Sequence, residues 1–221
     1  DVESRGLGDV YKRQVYDTAT HWTLFGQIVI LLLIQIGGLG FITIGVFLAT
    51  YLKKKISLRQ RGLIEESVNS LKLAGGVKLV KHIIKGTFLF EGIGAIILSL
   101  VFIEDFGLLK GIYLGIFHAI SAFCNAGFDI LGTADNAFPS LTGYSGNILI
   151  NVVIMLLIIT GGIGFLTWDD IYRNKMNFKR YRMQSKIILM TTVCLIVFPA
   201  VFFFACDLKN LPAGERLLAA M

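Results

Sequence analysis

The sequence predicts an all-α integral membrane fold, with four transmembrane helices and one shorter re-entrant helix and loop. Three observations carry that prediction. The chain is 55% hydrophobic and 16% charged, whereas a soluble domain carries about 25% charge. Residues 22–52, 83–103, 147–168 and 187–206 are apolar over the roughly 20 residues that a bilayer crossing needs. The basic residues stand in blocks beside those segments, which is how membrane topology is encoded.

The first segment, 22–52, contains no Asp, Glu, Lys or Arg. The second, 83–103, has Lys85 at its edge and Glu91 inside. The third is 147–168, and the fourth, 187–206, contains Pro199, where a kink is expected. Trp22, Tyr51 and Trp168 sit near span ends, where amphipathic rings favour the interface. Loops 53–82 and 169–186 are rich in Lys and Arg and are expected in the cytoplasm. Loop 104–146 carries Glu104, Asp105, Asp129 and Asp135 against Lys110, and is expected outside. Within 57–76, Leu58, Leu63, Ile64, Val68 and Leu71 fall on one side of a helix. That helix either lies on the inner leaflet or docks a cytosolic partner.

The two basic loops share a side only if an even number of spans separates them. Spans 83–103 and 147–168 already satisfy that condition. The apolar run 108–123 lies between them, and a crossing there would force one basic loop outside. At about 24 Å as a helix it is also short. It is therefore expected to dip in from outside and return, the plainer alternative being a surface-lying helix. The turn "CNAGF" follows it. Irregular backbone at membrane depth is tolerated where it is buried in protein or lines a water-filled path. A helix C-terminus carries partial negative charge, and the carbonyls beyond it can replace the water shell of a monovalent cation. Cys124, Asn125, Ala126, Gly127 and Phe128 are the candidate residues. Gly127 tolerates the positive φ that aims successive carbonyls at one axis, and Asn125 tolerates left-handed backbone and can brace the loop. An ordinary turn is the plain alternative.

"LIQIGGLGFIT" (33–43) recurs as "LIITGGIGFLT" (157–167). Internal repeats of this kind build pseudo-symmetric transport paths. Gly37, Gly38 and Gly40, with Gly161, Gly162 and Gly164, are expected to let helices approach closely. Glu91 is the one acidic residue inside a span. It is a candidate intramembrane polar site, either an ion site or a hydrogen bond to a neighbouring helix end.

Other chemistry finds little support. The net charge of +6 resides in topology blocks, so no nucleic acid partner is expected. Cys124, Cys194 and Cys206 are scattered and make no disulfide framework or metal spacing. His21, His82 and His118 are far apart, and no nucleophile–base constellation appears, so an enzyme is not expected. No cofactor is expected on this chain. His118 is expected to anchor the short helix by a hydrogen bond.

The ends are unlike the rest. Residues 1–14, "DVESRGLGDVYKRQ", resemble translated adapter sequence and are set aside, and 211–221 reads as the start of a helix. The chain is expected to be an internal fragment.

Four stretches, "VYDTATHWTLFGQIVILLLIQIGGLGF", "KKKISLRQRGLIEESVN", "GIFHAISAFCNAGFDI" and "TGGIGFLTWDDI", resemble the Trk/Ktr/HKT superfamily of potassium transporters, nearest to the Ktr-type bacterial membrane subunit. With the connecting spans, the resemblance covers roughly 15–221. It implies helix–pore loop–helix repeats around one pore. Residues 15–56 would be the second helix of repeat one, and 57–76 a cytoplasmic linker. Residues 77–175 would be repeat two, with helix 83–103, pore helix 108–123, filter 124–128 and helix 147–168. Residues 176–221 would open repeat three. The resemblance further implies K⁺ passing the backbone of Asn125, Ala126 and Gly127, with Na⁺ dependence or preference as an alternative. It implies a bacterial plasma membrane location, a homodimer of the full-length subunit and a cytosolic ring of nucleotide-binding regulatory subunits. A non-conducting membrane scaffold is the remaining rival. The filters of the other repeats and the gating loop in repeat three are absent from the sequence, so these residues alone would not close a pore.

Overall fold

The computed structural model describes residues 16–40, 76–133, 139–174, 177–202 and 204. Among them every regular element is helical. In chain order, α1 is Thr18–His21, α2 Leu24–Leu39, α3 Gly76–Phe106, α4 Leu108–Phe123, α5 Ile148–Gly162, α6 Phe165–Asn174 and α7 Met183–Phe202. The expectations for 1–14, for the amphipathic linker and for 211–221 fall outside the described residues.

The helix starts follow local chemistry. Asp17 caps α1 by accepting the Thr20 N–H at 2.9 Å. Asn147 caps α5 by accepting the N–H groups of Leu149 and Ile150. Each satisfies donors that a helix terminus leaves free. The start of α7 is served from another helix. Asp170 accepts the Arg182 N–H at 3.1 Å and the Ser185 hydroxyl, while the Arg182 guanidinium lies 3.4 Å from the same carboxylate.

The centre of the fold is a helical hairpin. α3 is 31 residues long, and α4 turns back along it after Gly107, which has φ +80°. The two helices approach closely because Gly111 faces the Ile103 backbone and Gly115 faces Ser99, with no side chain between. Leu98, Phe102, Leu114 and Phe117 pack in this seam, joined by Phe123 and by Ile150 and Leu157 of α5.

The expected spans are modified in three places. His82–Phe106 and Met183–Phe202 are continuous and apolar enough to cross a membrane. The third expected span, 147–168, is not one straight helix. α5 ends at Gly162, and Thr167–Asn174 departs at 97°. Gly164 in the break has φ +86°, a backbone conformation that helix geometry excludes. Within the first expected span, α2 ends at Leu39 and Gly40 has φ +79°, and the rest of that span lies outside the described residues. Third, Trp168 lies past the end of α5, within α6. It packs 4.8 Å from Phe90 and 5.8 Å from Phe123, and its indole N–H donates to the Thr160 carbonyl at 3.0 Å. The bend carries it back onto the bundle.

Outer faces are apolar, with Phe25 on α2 76% exposed and Phe198 on α7 75% exposed. Surfaces of that kind belong against lipid or further protein.

Candidate functional site

The turn after α4 is closed by a defined backbone motif. The Asn125 N–H donates to the Ala122 carbonyl at 3.0 Å, and the Ala126 N–H donates to the Ser121 carbonyl at 2.9 Å. Asn125 has φ +53°. These are the two bonds and the left-handed residue of a Schellman closure, with Asn in the place glycine usually takes. Gly127 then adopts φ +72°. A methyl group there would meet nothing within 4 Å, so the requirement for glycine is conformational, not steric.

Ser121 holds both ends of the strand that follows. Its carbonyl accepts from Ala126, and its hydroxyl donates to the Phe128 carbonyl at 2.7 Å. Gly127 stands between those anchors. Among the described residues, no hydrogen bond ends on the carbonyls of Cys124, Asn125, Ala126 or Gly127. Sequence reasoning missed Ser121. Its signal was a polar residue on the last turn of an otherwise apolar helix.

The other predicted residues distribute around this turn. Gly38 of α2 lies against Cys124, whose side chain fills the place a Cβ would occupy. Gly161 of α5 lies against the Phe123 carbonyl. A Cβ at Gly162 would lie 3.7 Å from the Asn125 amide, and that amide reaches the carbonyls of Phe123 and Ile158, each at 3.5 Å. A Cβ at Gly37 would meet nothing within 4 Å. Gly40 and Gly164, equivalent in the two copies of the repeat, instead end their helices with positive φ.

Glu91 is buried beside Cys124, at the start of the turn. Both its carboxylate oxygens accept from the Gln35 amide at 3.0 Å, and the Cys124 thiol lies 3.9 Å away. Gln35 was not singled out in the sequence, although it stands in the first copy of the repeat. A second tie joins α2 to α4. The Tyr113 hydroxyl donates to Gln27 at 2.9 Å, and Gln27 in turn donates to the carbonyls of Thr18, Ala19 and Trp22. The His118 ring bonds the Leu114 carbonyl of its own helix at 2.8 Å. No group of three or more metal-ligating side chains occurs among the described residues.

Just beyond the turn, the buried Asp129 carboxylate accepts from the backbone of Leu131 and Ser140. Burial, and then the nearby Asp17 charge, hold its pKa above the usual carboxylate range. Asp17 and Asp129 each follow an aromatic residue, Tyr16 and Phe128, and the two carboxylates are close enough to interact.

Residues 9–205 match the family model TrkH, described as a cation transport protein. The chain is 40% identical over 195 residues to the Potassium/sodium uptake protein NtpJ of Enterococcus hirae, covering 88% of this chain and 42% of that protein. It is 40% identical over 196 residues to the Ktr system potassium uptake protein B of Bacillus subtilis, covering 89% and 42%. To the Vibrio alginolyticus protein of the same name it is 32% identical over 226 residues, covering 99% and 47%. The chain spans just under half the length of these curated relatives.

Proposed function

This chain belongs to the TrkH family of cation transport proteins, and from that premise we propose that it is part of the pore-forming subunit of a bacterial potassium uptake system. Family membership and the apolar helices make it a membrane protein, and membership of a transport family removes the enzyme reading. The observation that carries the proposal is the turn after α4. It offers successive carbonyls with no partner among the described residues, held between two anchors on Ser121. Such carbonyls can replace the hydration shell of K⁺, and the C-terminal end of α4 adds a favourable partial charge. In this reading, α4 dips in from outside as a pore helix, and Cys124, Asn125, Ala126, Gly127 and Phe128 form one quarter of a selectivity filter. α2 is the second helix of one repeat, α3 to α5 with α6 make the next, and α7 opens a third. At a membrane potential of 100 mV, about 2.3 kcal/mol drives each monovalent cation inward.

The relatives named as Ktr system components support a multi-subunit assembly. We infer a homodimer of the full-length subunit and a cytosolic nucleotide-binding ring, with loops 53–82 and 169–186 on the cytoplasmic side. A sodium-preferring transporter is the second reading, favoured by the relative named for both ions.

The test is growth rescue at low potassium. The full-length protein, as wild type and as Gly127→Ser, is expressed with its partner in bacteria lacking their own K⁺ uptake. Rescue by wild type and loss of rescue, or gain of sodium permeation, in the variant is expected. Equal rescue by both would leave potassium uptake standing and remove the turn from the filter. Failure of a well-expressed wild type would sink the potassium reading.

A further inference from the structure

We propose that His118 and Asp129 brace the back of the 124–128 turn through a bridging water and so act as positioning residues for ion selection. The inference rests on the reading that this turn is the ion path. A cavity of about 230 Å³ lies between α4, the turn and α5, and His118, Ser121, Asn125, Gly127 and Asp129 line it, together with Ile154. His118 is 3% exposed and Asp129 6%. Among the described residues, His118 Nε2 and Asp129 Oδ2 are buried and have no hydrogen-bond partner.

The hydrogen count identifies the missing partner. His118 Nδ1 faces the Leu114 carbonyl at 2.8 Å. A carbonyl only accepts, so Nδ1 carries the proton, and Nε2 of the neutral ring is a bare lone pair. Ionised Asp129 offers only lone pairs as well. Both residues line the one cavity, and two acceptors cannot bond each other. A water molecule has two O–H donors and joins them, and the cavity is several times the roughly 30 Å³ that one water occupies in the liquid. The rings of Phe102 and Phe117, 5.4 and 6.0 Å from the imidazole, hold it from the other side.

The brace acts on the filter through the chain. Asp129 follows Phe128, whose carbonyl Ser121 already holds. With the water in place, the strand is fixed to α4 at Ser121 and again at His118. The carbonyls between then keep a spacing suited to K⁺ and resist closing on a smaller ion. Without it, the outer anchor loosens and discrimination falls.

The test measures the ratio of K⁺ to Na⁺ uptake by the full-length protein with its partner in membranes. His118→Phe keeps the ring volume and removes both nitrogens. We expect its K⁺/Na⁺ ratio to fall by about tenfold, the scale of one lost buried hydrogen bond. His118→Gln restores an acceptor near the Nε2 position and should recover most of the ratio. In the double variant His118→Phe/Asp129→Asn, the ratio should be no lower than in His118→Phe alone, since one brace is already broken. Independent, multiplying effects would overturn the pairing, as would an unchanged ratio in His118→Phe with normal K⁺ uptake. Wild type that carries no K⁺ would overturn the filter reading itself, a distinguishable result. Should His118→Phe fail to assemble, a high-resolution map of the wild type decides. One density within hydrogen-bond distance of both atoms supports the brace, and an empty cavity or a cation-coordinated density refutes it.

Discussion

Gln35 and Glu91, 56 positions apart in the chain, meet as amide and carboxylate at 3.0 Å. The contact joins α2 to α3 beside the start of the turn, where Cys124 also reaches the carboxylate. Glu91→Ala would leave the Gln35 amide without its acceptor. We expect a loss of about 1–3 kcal/mol, read as a lower melting temperature of the purified full-length protein in detergent. Glu91→Gln retains an accepting oxygen and should lose less. Equal melting temperatures for wild type and the alanine variant would show that the tie contributes nothing.

Gly161→Ala should be far more damaging than Gly37→Ala. A methyl group at Gly161 would overlap the Phe123 carbonyl, whereas at Gly37 it meets nothing within 4 Å. Overpacking typically costs about 1–3 kcal/mol, and here the displaced atom is backbone adjoining the turn. Rubidium uptake by the two variants at matched expression gives the comparison. Normal uptake by Gly161→Ala would refute the close contact.

Ser121→Ala removes the hydroxyl that holds the Phe128 carbonyl. The expected effect is a loss of about 1 kcal/mol and a fall in K⁺/Na⁺ discrimination, with recovery in Ser121→Thr. Selectivity indistinguishable from wild type would show that the strand needs no outer anchor there.

Asp129 gives the segment after the turn a defined pH dependence. Its pKa is raised in the folded protein by burial and by Asp17, so the folded state binds the proton more tightly than the unfolded chain does. Stability from this group is therefore highest below the unfolded carboxylate value and declines as pH rises through the folded one. Asp129→Asn should flatten that decline. Unfolding followed from pH 3.5 to 7 checks it, and an unchanged slope in the variant would contradict the shift.

Topology is testable with single cysteines. If α4 enters and leaves from the same side, Lys110→Cys and Thr133→Cys should both react with an impermeant thiol reagent from outside, while Lys179→Cys should react only from the cytoplasm. Labelling of Lys110→Cys and Thr133→Cys from opposite sides would make α4 a true crossing.

Much of the local structure was legible in the sequence. α4 has the bounds 108–123 that its apolar run suggested, and positive φ was foreseen at Gly127 and tolerated at Asn125. The bend after α5 was not foreseen, because "TGGIGFLT" is apolar throughout and reads as continuous span. The glycines were expected to serve mainly packing, with a hinge role as the alternative, and Gly40 and Gly164 end helices through their own backbone conformation. A one-letter pattern does not separate a glycine needed for space from one needed for φ.

By itself the sequence determined that the described chain is helical and apolar, where α4 begins and ends, and that a left-handed turn follows it. Those features depend on hydrophobic length and on neighbours within a few residues. Only the tertiary structure decided that Gln35 meets Glu91, that Gly38 and Gly161 approach the same turn from two helices, and that His118 and Asp129 share a cavity. The physical reason is that α2, α5 and residues 86–103 of α3 are apolar around nearly their whole circumference. A helix of that kind carries no stripe to say which face turns inward, so its partners are chosen by packing, where glycines permit contact and the few buried polar groups find one another.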